Sequence, residues 1–137
     1  MIKFIRKNEL IKQSVSHQND KFKEVILKNG EIPGLLQFAK SKFNIGDKIE
    51  EHVHESMYVI FYVLKGEVIV MDDEEKVIAN EGDTFVIYPL QKHSLRFNKK
   101  TELMYFNIAG ELSPPQPVAD RFAKATEVKI EECRNDS

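Results

Sequence analysis

Tryptophan is absent from the 137 residues, and cysteine occurs once, at Cys133 in a polar tail. A single thiol excludes a disulfide framework within one chain, and any metal site has to be assembled from His, Asp or Glu. Cys133 sits among charged residues and reads as a solvated thiol, not a nucleophile. No apolar run approaches the roughly 18–20 residues of a membrane span. The opening "MIKFIRKNEL" is too polar for a secretory signal. Neither sign of charge prevails: 20 basic against 22 acidic residues leave a net charge of −2. Nothing in that balance calls for nucleic acid or an anionic membrane as partner. These absences together predict a cytoplasmic protein.

What is present is ordinary for one globular domain, with 42% hydrophobic and 31% charged residues. The first 34 residues mix polar and apolar positions without a clean period. "FKEVIL" reads as a strand closed by the turn signal "NG". In "LLQFAKSKF" (35–43) the lysines Lys40 and Lys42 mark the outside of a strand, so Gln37, Ala39 and Ser41 should look inward. "YVIFYVLKG", "EVIVMDDEEKVIANEGD", "TFVIYP", "HSLRF" and "ELMYFNIAG" follow as strands parted by Gly, Asp and Asn turns. Short strands at intervals of about 8–12 residues predict an all-β antiparallel sandwich or barrel over 35–112. Residues 1–34 then form an N-terminal arm that packs on or extends the barrel. Residues 113–137 form a proline-rich connector and tail, with a short helix in "VADRFAKATEVKIEE".

One stretch, "IEEHVHESMYVIFYVLKGEVIV" (49–70), sets His52 and His54 one residue apart at the entrance to a β run. Residues i and i+2 of a strand share a face, so the two imidazoles can converge on one ion. They can equally be two polar residues at a barrel mouth. Downstream, "EGDTFVIYPLQKHSLRF" brings His93 after a strand and a proline turn. The acidic "DDEE" at 72–75 lacks the spacing of a calcium loop and reads as a solvated hairpin. Asp83 reads as a turn former, Arg96 as exterior and His17 as exposed.

Gly46-x5-His52-x-His54, with Gly66 after "YVLK", resembles the first signature motif of the cupins. Gly82-x6-Pro89-x3-His93 resembles the second. The resemblance covers about residues 35–110. It implies a jelly-roll β-barrel of six to eight strands in which His52, His54 and His93 point inward and bind a divalent metal. The sequence departs from the cupin pattern in three places. The glutamate that usually supplies a fourth ligand is Val59 here, and the asparagine usual four residues after the last histidine is Phe97. The second motif is one residue short between Pro89 and His93 and lacks its usual glycine. Glu50 has the parity to replace the missing acid but lies at the strand entry. A neutral three-His set favours Fe²⁺ first, with Zn²⁺, Ni²⁺ or Cu²⁺ as alternatives, over the oxygen-seeking Mg²⁺ and Ca²⁺.

Around that centre, Gln37, Ser41 and Tyr62 are candidate pocket residues. Tyr58, beside the missing ligand, and Tyr105 are candidate catalytic phenols. The resemblance implies a metal-dependent, dioxygenase-like enzyme acting on a small organic molecule, and a homodimer built through N-terminal strands. Two other classes stay open: a non-catalytic binding or sensor module, and a metal-independent sugar isomerase or epimerase. The last would need a His–Asp base and an acidic Tyr in the cavity.

Overall fold

The computed structural model describes residues 1–15 and 18–110, and the described residues are all-β apart from a single 3₁₀ turn at Lys7–Glu9. The expected C-terminal helix, Cys133 and His17 lie outside the described residues. Ten strands follow in order: β1 (Ile11–Val15), β2 (Gln18–Leu27), β3 (Leu35–Phe43), β4 (Lys48–His52), β5 (Met57–Lys65), β6 (Glu67–Met71), β7 (Lys76–Asn80), β8 (Thr84–Ile87), β9 (His93–Arg96) and β10 (Thr101–Ala109). They build two antiparallel sheets. One has six strands in the order β1-β2-β3-β10-β5-β8, the other four in the order β4-β9-β6-β7. Within the segment 1–34, β1 and β2 extend the six-stranded sheet beyond β3. Among the described residues no helix is long and apolar enough to cross a membrane.

Alternation decides which side chains reach the space between the sheets. Along β5, Val59, Phe61 and Val63 are buried while Tyr62 between them is exposed. Along β3, Ala39, Ser41 and Phe43 are buried, as the lysine positions require. Registration across β2, β3, β10 and β5 sets these inward residues in rows. Val25, Ala39, Tyr105 and Phe61 form one row; Lys23, Ser41, Leu103 and Val63 form the next.

The lower barrel is packed solid. Phe97 stacks on Phe43 with ring centroids 4.0 Å apart, and Leu95, Leu103, Val63 and Val68 close around the pair. Phe97 stands where a cupin usually has asparagine, and it serves here as core. The β5–β6 hairpin depends on Gly66, whose φ is +88°. A Cβ there would also collide with the Lys100 carbonyl and the Thr101 side chain. That close approach lets the buried Thr101 hydroxyl donate to the Glu67 carbonyl at 2.9 Å and accept from the Glu67 N–H at 3.2 Å. The glycine of the first motif is therefore explained by packing.

Candidate metal centre

His52 ends β4, and its cross-strand partner is His93, the first residue of β9. The β4–β9 ladder carries an irregularity between Ile49 and His52: Ile49 pairs Leu95 and His52 pairs His93, so β4 holds one extra residue. That bulge resets the alternation, and both Ile49 and His52 reach the cavity although three residues separate them. Glu50 consequently does not share the inward face with His52. It is exposed and pairs with Lys48 at 3.1 Å. Only on an unbroken strand would Glu50 share the His52 face, and the bulge removes it as a fourth ligand.

His54 lies beyond the end of β4 and comes to the site from the β4–β5 link. That link is fixed by two backbone bonds: Leu90 N–H donates to the His54 carbonyl at 2.7 Å, and Gly110 N–H donates to Ser56 O at 3.0 Å. Leu90 holds a φ of +66°, a left-handed conformation that costs a non-glycine residue about 1–2 kcal/mol. The bond to His54 gives the strain a counterpart in the site.

The three rings meet. Centroids lie 4.2 Å apart for His52 and His93, 4.7 Å for His52 and His54, and 5.2 Å for His54 and His93. One ring nitrogen from each falls within 4.8 Å of the other two. Outer contacts set the tautomers. His52 Nδ1 donates to the Glu50 carbonyl and His93 Nδ1 to the Gln91 carbonyl, each at 2.9 Å. Each Nε2 is then a lone-pair donor, the arrangement metal-binding histidines use. The Nε2 atoms of His52 and His54 stand 3.1 Å apart. Two nitrogens bound at about 2.1 Å to one ion sit at about that separation. With His52 Nδ1 protonated, His54 Nε2–H donates to His52 Nε2, and a bound metal would take the place of that proton.

His93 is 2% exposed, and burial holds its pKa below the usual imidazole value. The neighbouring His52 adds to this lowering, while the Gln91 carbonyl opposes it. A neutral His93 is the form that ligates. Gln91 is itself braced: its Nε2 donates to Asp72 Oδ2 at 2.9 Å, and its Oε1 accepts from the Tyr88 N–H at 3.0 Å. The acidic hairpin read as merely solvated thus braces, through Gln91, the carbonyl that orients His93. Sequence patterning contained no signal for this, because the contact joins residues 19 apart.

The histidines open onto a cavity of about 100 Å³. Gln37 and Tyr105 line it. Ser41 does not; it stands behind Tyr105, their oxygens 2.9 Å apart in a buried hydrogen bond. Burial pushes the Tyr105 phenol up, and the bond to Ser41 only partly offsets this, so the hydroxyl keeps its proton. Tyr58 and Tyr62, expected at the site, lie elsewhere. Val59 and Phe61 face the cavity from β5, so their immediate neighbours face the opposite side. Tyr58 packs on Tyr88 with centroids 5.4 Å apart, and Tyr62 is 37% exposed. Neither lines the cavity. Lys23 and Asn107 also line the cavity, and sequence reading overlooked both. Asn107 sits opposite Val59 on β10; Lys23 lies in the segment that showed no clean period.

Residues 40–109, about half of the chain, match the family described as Cupin domain. Among curated proteins no sequence matches. Solved structures do. A predicted oxalate decarboxylase from Thermotoga maritima superposes with a TM-score of 0.65 at 23% identity, over 78% of this chain and 99% of that one. KdgF from Halomonas sp. gives a TM-score of 0.63 at 23% identity, over 77% and 94%. An RmlC-like cupin from Shewanella frigidimarina gives 0.64 at 18% identity, over 81% and 94%. Likeness at these identities carries the fold alone.

Proposed function

The chain belongs to the cupin domain family, and from that premise we propose that it is a metalloprotein in which His52, His54 and His93 hold one divalent transition-metal ion and a small organic molecule is bound and transformed beside it. The observation that carries the reading is the convergence of three ring nitrogens within 4.8 Å at the head of a barrel cavity. The donor set fits such an ion. Three neutral imidazoles suit iron, zinc, nickel or copper, with iron first, and the backbone tethers on His52 and His93 fix which nitrogen each presents.

When bound, the ion would supply Lewis acidity and, if it is iron, redox chemistry. The chain's own residues do the rest. The Glu50 and Gln91 carbonyls hold the Nδ1 protons outward, so neither ring turns away from the cavity. Met57, Val59, Phe61 and Leu95 make an apolar lining that keeps bulk water from the reacting molecule. Tyr105 offers a protonated hydroxyl on the wall, steadied by Ser41.

No carboxylate lines the cavity among the described residues. That speaks against a metal-independent epimerase, which needs an acid to orient a histidine base. It favours one second reading, a module that binds its small molecule without turning it over.

The test is metal content per chain, measured by inductively coupled plasma mass spectrometry on untagged, anaerobically purified protein, beside a His52→Ala/His93→Ala variant. Near-stoichiometric transition metal that the variant loses supports the centre. Negligible metal, unrecovered on adding Fe²⁺, Zn²⁺ or Ni²⁺, overturns it. Stoichiometric metal without turnover of any small acid or thiol under O₂ selects the binding module.

A further inference from the structure

We propose that the ligand of this cavity is a small carboxylate and that Lys23 is its counter-ion, a proposal that rests on the metal reading above for the second cation of the site. The backbone sets the lysine's direction. Lys23 registers opposite Ser41, and two residues on, Val25 registers opposite Ala39. Val25, Ala39 and Ser41 are all buried on the inner face of the six-stranded sheet. Lys23 therefore leaves the sheet on that inner face, and it lines the same cavity as the three histidines.

A lysine on the inner face of a barrel needs an explanation, because an ammonium loses hydration there without gaining packing. Its usual explanation is a buried carboxylate partner. Among the described residues none lies within ion-pair distance of Lys23, and no Asp or Glu lines the cavity. Burial holds the Lys23 pKa below its ordinary value, with no carboxylate to raise it again. With three neutral imidazoles opposite, a bound divalent ion would add two more uncompensated positive charges. A cationic ligand would be repelled and a neutral one would leave the lysine unpaired. An anion answers both charges.

The remainder of the cavity defines the anion's size and second contact. About 100 Å³ admits a molecule of only a few heavy atoms, since a water takes roughly 10–15 Å³ on the same measure. The apolar lining suits a short carbon chain more than a fully hydrated inorganic ion. Asn107 completes the set. Its Oδ1 is out of reach of solvent and has no hydrogen-bond partner, and its Nδ2 has only a long contact of 3.6 Å to Met57 Sδ. Buried carboxamides without partners are rare. Toward a carboxylate only the Nδ2 amide, held by nothing stronger than the thioether, can donate; it lines the cavity beside the valine that replaces the usual acid.

The experiment compares two probes of equal shape and different charge, propionate and propionamide. Each is titrated by ¹H–¹⁵N NMR into Zn²⁺-treated and chelator-treated protein, with Lys23→Met and Lys23→Arg alongside. The expected result is Zn²⁺ binding in every variant and a preference for propionate of about tenfold or more in the wild type, the scale of one charge-assisted contact. Lys23→Met should abolish the preference and Lys23→Arg retain it. If Zn²⁺ binds but propionate is not preferred, or Lys23→Met keeps the preference, the assignment falls and the metal centre stands. If Zn²⁺ does not bind yet propionate is preferred and Lys23→Met abolishes this, the metal reading falls and Lys23 keeps its role. Should Lys23→Met fail to fold, the comparison of acid and amide in chelator-treated wild type decides, because no ion is there to attract the carboxylate: a preference supports Lys23 and its absence overturns the assignment.

Discussion

Restoring an acid at position 59 tests the geometry of the centre most directly. Val59 is 3% exposed, faces the cavity from β5 and stands where the cupin pattern places a ligating glutamate. In Val59→Glu without metal, the new carboxylate is buried at a position now 3% exposed, and the cost that follows is an upper bound because Lys23 lines the same cavity. Such burial raises a carboxyl pKa by about 3 units. At 1.36 kcal/mol per unit, folding at pH 7.5 should lose about 4 kcal/mol. The nearly isosteric Val59→Gln carries the extra volume without the charge and separates the two costs. A bound ion should return part of the penalty. Recovery of half of it tightens Zn²⁺ binding about 30-fold, at 1.4 kcal/mol per factor of ten. The assay pairs urea denaturation in chelator with competition against a chromophoric Zn²⁺ indicator. A metal-free Val59→Glu as stable as the wild type, with unchanged Zn²⁺ affinity, would refute the claim that Val59 faces the ion. A destabilised variant whose Zn²⁺ affinity matches that of Val59→Gln would refute the position of the ion instead.

Two further perturbations address the supports of the site. Asp72 is held below its ordinary carboxyl pKa by the Glu75 N–H, the Gln91 side chain and the Glu74 N–H. Because its folded pKa lies below the unfolded one, its contribution is present above pH 3.8 and lost as pH falls through the folded value. Protection of the Glu74 and Glu75 amides against hydrogen exchange should therefore decline below about pH 4 in the wild type and be pH-independent in Asp72→Asn; identical profiles would contradict this. Tyr105→Phe removes the phenol from a buried hydrogen bond and leaves Ser41 Oγ without it, at a cost of about 1–2 kcal/mol. Ser41→Ala/Tyr105→Phe should cost less than the sum of its parts in a urea double-mutant cycle; strict additivity would show that the two do not interact.

The barrel was legible because its inner and outer faces differ chemically. Lys40 and Lys42 gave the orientation of β3, and the apolar run Val59, Phe61, Val63 gave that of β5. Where the strands are regular, alternation carried the reading from residue to face. The three histidines were legible for another reason: two motifs in order, opened by Gly46 and Gly82, mark positions without any need to know the strand's phase. Gly66 is held by backbone crowding in the β5–β6 hairpin, and Pro89 leads into the strained Leu90, whose N–H holds the His54 carbonyl.

What the sequence hid lies where alternation breaks or where contacts are distant. A single bulged residue between Ile49 and His52 moved Glu50 outward, and nothing in "KIEEH" announces it. Tyr58 attracted attention as the neighbour of the vanished glutamate. Adjacency along a strand, however, means opposite faces, and the physics that places Val59 inside places Tyr58 outside. The informative neighbour of Val59 is across the ladder, not along it: Asn107 on β10, 48 residues away, which pairing brings beside the missing ligand. Lys23 was hidden differently, by a segment whose polar and apolar residues show no period. Only the pairing of β2 with β3 reveals that this lysine stands in a row of buried residues. A polar residue that breaks the pattern of an inward face is either a defect or a site. An unpaired ammonium, and a carboxamide whose N–H meets only a thioether, lining one cavity with three imidazoles are more simply explained by a shared ligand than by separate defects.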